Sequence, residues 1–213
     1  MESLYPFLYA GSANLDSVLE QVRASTAAKA GEILQLRHDI CERDGQRLVE
    51  CARQAARRFE AGGQLFAFGN GGSATDAQQL ATLFLRESAL PAFGLASETP
   101  VVTALCNDIG VEVVFARQLA ASGGPDDIAV GLSTSGNSEN MLRAFDEARR
   151  CGMLTIGLAG YDGGKMAELD SIDFLFVAPS ASVHRIQEAQ TTIYQALWEL
   201  TTQEVTHVPR HTG

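Results

Sequence analysis

Two short stretches gather hydroxyl-bearing and flexible residues of the kind that hold an anion: Gly69-Asn70-Gly71-Gly72-Ser73 and Ser133-Thr134-Ser135-Gly136-Asn137-Ser138. Each follows an apolar run and precedes a helical pattern. Glycines let the backbone approach an anion closely, and amides at a helix start favour negative charge. The serine and threonine hydroxyls add donors suited to phosphate oxygens. Neither loop carries lysine or arginine, so dipoles and hydroxyls have to do the binding. Taken alone, either loop also reads as a strand-to-helix turn with a serine cap. Two of them at the carboxyl ends of strands in one sheet point to a ligand site, because open α/β folds bind there. Gly69-x-Gly71-x-x-Ala74 also passes a loose dinucleotide fingerprint. The acid that motif wants about 20 residues on is Glu98, which comes 29 residues after Gly69, and the second loop has no role in that fold.

The elements that position these loops alternate. "QLFAFG", "AFGLAS", "DIAVGLS", "MLTIGLAG" and "DFLFVAP" read as five strands. Between them come a helix from about Thr75 to Arg86, a mostly helical stretch from Thr99 to Ser122, and "ENMLRAFDEARRC", closed by Gly152. A final helix is expected from about Val183 to Val205. Apolar strands separated by helices imply a parallel sheet covered on both faces, a doubly wound α/β sandwich.

Residues 13–62 hold no proline and read as helical, with "ILQLRHDI" and "RLVECARQAARRF" each burying one face. Gly62 and Gly63 stand where a left-handed cap would end the second of these helices. Their apolar faces meet either the domain's own sheet or a helical bundle shared between subunits, since amphipathicity does not identify the partner. The expected division is an N-terminal helical segment over 1–62, the α/β domain with its long last helix over 63–206, and a tail over 207–213.

The chain has 213 residues, 46% of them hydrophobic and 20% charged, which suits one sizeable domain with a helical addition. Its 16 basic and 26 acidic residues give a net charge of −10, which argues against nonspecific nucleic-acid binding. Cys41, Cys51, Cys106 and Cys151 form no CxxC pair and fit reduced thiols better than a disulfide scaffold or a structural zinc site. The start, "MESLYPFLYAGSANLD", lacks the basic opening and apolar core of a signal peptide, and no apolar run is long enough to cross a bilayer. A cytoplasmic protein without membrane contact is the expectation.

"GNGGS", "NDIGVEVVFARQ", "LSTSGNS", "GYDGGKMAEL" and "RIQE" occur in an order and at spacings that resemble the sugar isomerase (SIS) domain family. More narrowly they are similar to the sedoheptulose 7-phosphate isomerases, or phosphoheptose isomerases, over roughly residues 30–205. The resemblance implies a flavodoxin-like three-layer sandwich with a five-stranded parallel sheet, and a homotetramer with sites between subunits. It places phosphate against Ser73, Ser133, Thr134, Ser135 and Ser138. It places the sugar against Asn70, Gly71, Gly72, Asn107, Asp108 and Gln187.

Moving a proton between adjacent carbons of a sugar phosphate needs a base and an acid, or a metal to polarise the oxygens. The family supplies histidine and glutamate on the helix after its first loop, and glutamine and histidine on the last helix, as zinc ligands and acid–base pair. The four positions here are Gln79, Leu83, Gln187 and Gln195, of which only Gln187 matches. Glutamine does not titrate usefully, and leucine neither ligates nor moves protons. No metal or other cofactor is therefore expected. His184, three residues before Gln187, and Asp76, near the first loop, are the remaining acid–base candidates. His38 lies on an early helix, and His207 and His211 lie in the tail. Gln187, Thr191 and Gln195 form one polar stripe on the last helix opposite Ile186, Ala189, Ile193, Leu197 and Leu200, and it faces either solvent or a pocket that holds sugar hydroxyls. The expectation is a phosphosugar-binding protein without isomerase chemistry. The alternatives are an active ketose–aldose phosphate isomerase, or a scaffold with a protein partner like the family's DnaA-binding initiator-associating protein.

Overall fold

A computed structural model of the chain describes residues 15–205; the opening stretch before Leu15, His207, His211 and the rest of the tail lie outside it. Helix α1, Leu15–Glu60, is a single run of 46 residues, where the sequence suggested two helices. Gly45 does not interrupt it, since a mid-helix glycine costs only about 1 kcal/mol. A division into two compact units falls inside this helix, after Gln35. Gly62 ends it as expected, at φ 91°. The Gly62 amide donates to the Phe59 carbonyl and the Gly63 amide to the Arg58 carbonyl, a Schellman arrangement that satisfies carbonyls the helix leaves open.

Strands β1 (Leu65–Gly69), β2 (Ala92–Gly94), β3 (Ile128–Ser133), β4 (Leu154–Gly160) and β5 (Phe174–Ala178) form one sheet in the order β2-β1-β3-β4-β5. All four pairings are parallel. Helices α2 (Gly72–Thr82), α3 (Thr99–Asp108), α4 (Val114–Ser122), α5 (Glu139–Arg150) and α6 (Val183–Glu204) complete the three-layer α/β sandwich. Strands β1, β3 and β4 are buried along their whole length, which is why they read as unbroken apolar runs. On one face Phe68 packs against Phe115 of α4 and Phe145 of α5 at ring-centroid distances of 5.5 and 5.3 Å. Helices α2 and α6 adjoin each other and lie against β1 and β4.

The two sheet edges are finished differently. At β2 the strand is only three residues long, half of what "AFGLAS" suggested, and Phe93 stays exposed. At β5 the latter half of α1 supplies donors to the outward carbonyls. Arg43 Nη2 donates to the Val177 carbonyl at 2.5 Å and Arg47 Nη2 to that of Leu175 at 3.2 Å. Between the two guanidinia sits the buried Asp44 carboxylate, 2.6 Å from Arg43 and 3.0 Å from Arg47, and Arg47 also lies over the Phe176 ring. An edge whose carbonyls are already occupied cannot template pairing with another chain.

Candidate functional site

Strand order decides where the two small-residue loops meet. In the order 2-1-3-4-5 the sheet changes direction between β1 and β3, and the crevice outside the carboxyl ends of those strands is where such sheets take ligands. The loops after β1 and β3 flank that crevice. A cavity of about 70 Å³ lies there, lined by Asn70, Ser73, Leu132, Ser133, Thr134, Ser135 and Ser138. All five expected phosphate-contacting residues and Asn70 thus share one small polar space. A larger hollow of about 130 Å³ between α1, β5 and α6, lined by Ile40, Leu48, Phe176 and Ile193 among others, is apolar and away from the loops.

Local geometry leaves the cavity hydroxyls available. Ser138 is the N-cap of α5, yet its side chain makes no capping hydrogen bond, so the serine-cap reading of this loop does not hold. Helix α2 begins at Gly72, earlier than the expected Thr75, with Gly71 as its N-cap at φ 56°. Its first turn therefore faces the cavity directly, and Asp76 falls outside that turn. The second loop is held by its own side chains: the Gly136 amide donates to Ser133 Oγ at 3.1 Å and the Asn137 amide to Ser135 Oγ at 3.3 Å. Gly136 has φ 65°, and a methyl group there would sit 2.0 Å from the Gly163 carbonyl oxygen. Only glycine fits this close approach.

Around the cavity, Gln187 of α6 donates from Nε2 to Asp76 at 3.1 Å, and its amide lies directly over Gly72. Burial raises the Asp76 carboxyl above its ordinary value, and the Gln187 hydrogen bond opposes that rise. Asn107 and Asp108 stand outside the cavity: both are exposed at the end of α3, with Asn107 Nδ2 donating to Asp108 Oδ1 at 2.8 Å. His184 is exposed near the start of α6 and does not line the cavity, and exposed His38 pairs with Glu42 on α1 at 3.2 Å.

At the four positions where the resemblance would seat zinc, Gln79 and Gln195 are exposed while Leu83 and Gln187 are half-buried. Leu83 also opens a π-helical turn, Leu83–Glu87, that the sequence reading ran together with α2. Among the described residues no three His, Cys, Asp or Glu side chains converge as metal ligands. Three amides and a leucine are a poor match to zinc, which takes thiolate, imidazole and carboxylate donors. The donor set does not fit the metal.

Sequence reading missed two neighbours of the cavity. Asn140 of α5, 6% exposed, exchanges hydrogen bonds with Asn70. Gln190 of α6, fully buried, donates from Nε2 to the Ser133 carbonyl at 3.4 Å. On the apolar side of α6, Ile186, Ala189, Ile193 and Leu197 are buried as expected, while Leu200 is only half-buried. A buried amide among those residues was the one available signal for Gln190, since such groups are retained where they are hydrogen-bonded.

Comparison with known proteins gives a consistent picture. Residues 30–160 match the family described as SIS domain. The chain is 43% identical over 173 residues to a phosphoheptose isomerase of Pelodictyon phaeoclathratiforme, an overlap spanning 78% of this chain and 82% of that protein. The structure is similar to a phosphoheptose isomerase from Neisseria gonorrhoeae, with a TM-score of 0.80 and 33% identity over 85% of this chain and 99% of the other. A phosphoheptose isomerase from Francisella tularensis gives a TM-score of 0.73 at 29% identity, over 90% of this chain and 100% of the other.

Proposed function

The chain belongs to the SIS domain family, and from that premise we propose that it binds a phosphorylated sugar without isomerising it. The observation that carries this is the cavity lined by Asn70 and five hydroxyl-bearing residues, beside helices whose acid, base and metal positions hold Gln79, Leu83 and Gln195. Ser73, Ser133, Thr134, Ser135 and Ser138 take the phosphate. Asn70, Gly71, Gly72 and Gln187 face the sugar. Neutral donors of this kind hold hydroxyls and phosphate oxygens in place, but none of them takes up a proton at neutral pH.

Asn107 and Asp108 reach a sugar only from a neighbouring copy, in the homotetramer the family resemblance implies. Two features support this assembly: α3 buries none of its residues, and Val101, Ile109 and Val111 stand exposed beside them. Among the described residues no helix is long and apolar enough to cross a membrane. The rival reading, an active ketose–aldose phosphate isomerase, is favoured by the 43% identity to a relative of that name. It would require an acid–base group other than those at 79, 83 and 195, with His184 and Asp76, the latter held by Gln187, as the candidates.

The test is a thermal-shift titration of metal-stripped protein with sedoheptulose 7-phosphate and other phosphosugars, followed by an isomerisation assay with and without added zinc. A ligand of the folded state raises its melting temperature by mass action. Stabilisation without turnover is expected. Turnover in either assay overturns the reading in favour of the isomerase, and no stabilisation by any phosphosugar removes the ligand altogether.

A further inference from the structure

We propose that Asn140 is a positioning residue that fixes the place and plane of the sugar-facing amide of Asn70, and that this lets the cavity favour a phosphosugar over free phosphate. The inference rests on the phosphosugar reading above and adds a residue to it. Asn140 Nδ2 donates to Asn70 Oδ1, and Asn70 Nδ2 donates to Asn140 Oδ1, both at 2.9 Å. A primary amide has two N–H donors and two acceptor lone pairs. The reciprocal pair consumes one of each, so Asn70 keeps one donor and one acceptor for a ligand. The last side-chain torsion of asparagine is broad, so an unsupported Asn70 would turn its amide out of the plane that the pair imposes.

Burial separates the two roles. Asn70 is exposed and lines the cavity, whereas Asn140 is 6% exposed and is not part of the lining. Asn140 therefore acts through Asn70. The pair also ties the two loops together, since Asn70 follows β1 and Asn140 sits in the first turn of the helix after β3.

The phosphate half of the cradle has its own braces. Asn137 Nδ2 donates to the Ser135 carbonyl at 2.9 Å while Asn137 Oδ1 accepts from the Lys165 amide at 3.0 Å. The Met166 amide donates to the Gly136 carbonyl at 3.0 Å. Removing Asn140 leaves these bonds in place, so its loss should be felt by the sugar and not by the phosphate.

Calorimetric titration of the full chain with sedoheptulose 7-phosphate and, separately, inorganic phosphate tests this in wild type, Asn140→Ala, Asn70→Ala and the double variant. Asn140→Ala is expected to weaken sugar phosphate binding about tenfold, the usual worth of one oriented hydrogen bond, and to leave phosphate affinity unchanged. The double variant is expected to be no worse than Asn70→Ala, because the two residues act as one unit. If Asn140→Ala does not fold, Asn140→Ser is judged by the same two comparisons. Equal weakening toward both probes, or additive losses in the double variant, overturns the proposal and leaves Asn140 as scaffolding. Normal binding of sugar phosphate by Asn140→Ala overturns it too, while the phosphosugar reading stands. Wild-type protein that binds neither probe overturns that reading, and the proposal with it.

Discussion

The loop after β3 and the facing surfaces of α2 and α6 border the same crevice, yet they are built to opposite standards. Four residues of the loop have a hydrogen-bonding or steric reason for their place: Ser133 and Ser135 accept amides of the loop, Asn137 bridges to the Lys165 amide, and Gly136 is pressed against Gly163. On the two helices, Gln79 and Gln195 are exposed, and the single cross-helix polar contact described at the site is Gln187 to Asp76. Binding and turnover draw on different parts of such a site. An anion cradle is made of backbone geometry and hydroxyls, whereas moving a proton needs titratable groups or a metal at a few side-chain positions. On the proposed reading, the residues at 79, 83 and 195 withdraw the second and leave the first in place.

The largest expected effect comes from erasing the contrast. Gln79→His, Leu83→Glu and Gln195→His together are expected to confer zinc binding, and isomerisation of sedoheptulose 7-phosphate rising from background, with sugar phosphate affinity in the chelated protein little changed. Metal content and a coupled isomerase assay check this. A triple variant that folds and binds no zinc would mean that the two helix surfaces do not converge.

Next is the cradle side. Gly136→Ala forces a Cβ into a left-handed conformation and against a backbone oxygen, so it is expected to cost about 2–4 kcal/mol of stability. Denaturant unfolding reads the cost, and phosphosugar stabilisation should be lost with it. A fully stable Gly136→Ala would show that the loop is looser than its contacts imply and would blur the contrast.

The smallest effect is a pH dependence. Burial raises the Asp76 carboxyl in the folded protein above its ordinary value, so the folded state holds that proton more tightly than the unfolded chain does. The contribution to stability is present below the ordinary carboxyl range and is lost as pH rises through the raised folded value. Asp76→Asn keeps an acceptor for Gln187 and removes the ionisation. It is expected to match wild type near pH 3 to 4 and to be the more stable protein at pH 7, with melting temperatures across that range as the check. No widening of the gap with pH would mean that Asp76 is better solvated than its surroundings suggest.

Much of the molecule was legible beforehand because it is written locally. Apolar runs gave the centres of all five strands, and Gly62 marked the end of α1 because only a residue tolerant of positive φ caps a helix in that way. Failures came where a neighbour outside the local window decides. β2 is short because it lies at the edge, with Phe93 in solvent. α1 is unbroken at Gly45 because one glycine cannot outweigh the helix on either side. Asn140 stands in the first turn of its helix, and nothing in its local pattern announces a partner 70 positions away.

By itself the sequence determined the main strands and helices, the hydroxyl and glycine chemistry of the two loops, and that positions 79, 83 and 195 hold two glutamines and a leucine. These are properties of single residues and short periods, carried by the chain wherever it goes. The tertiary structure alone decided that β1 and β3 lie side by side, so that two loops some 60 residues apart close on one cavity, and that the Asn70–Asn140 pair joins them. Strand order and amide pairing are settled by burial and hydrogen-bond satisfaction summed over the whole core, to which residues distant in the chain contribute together.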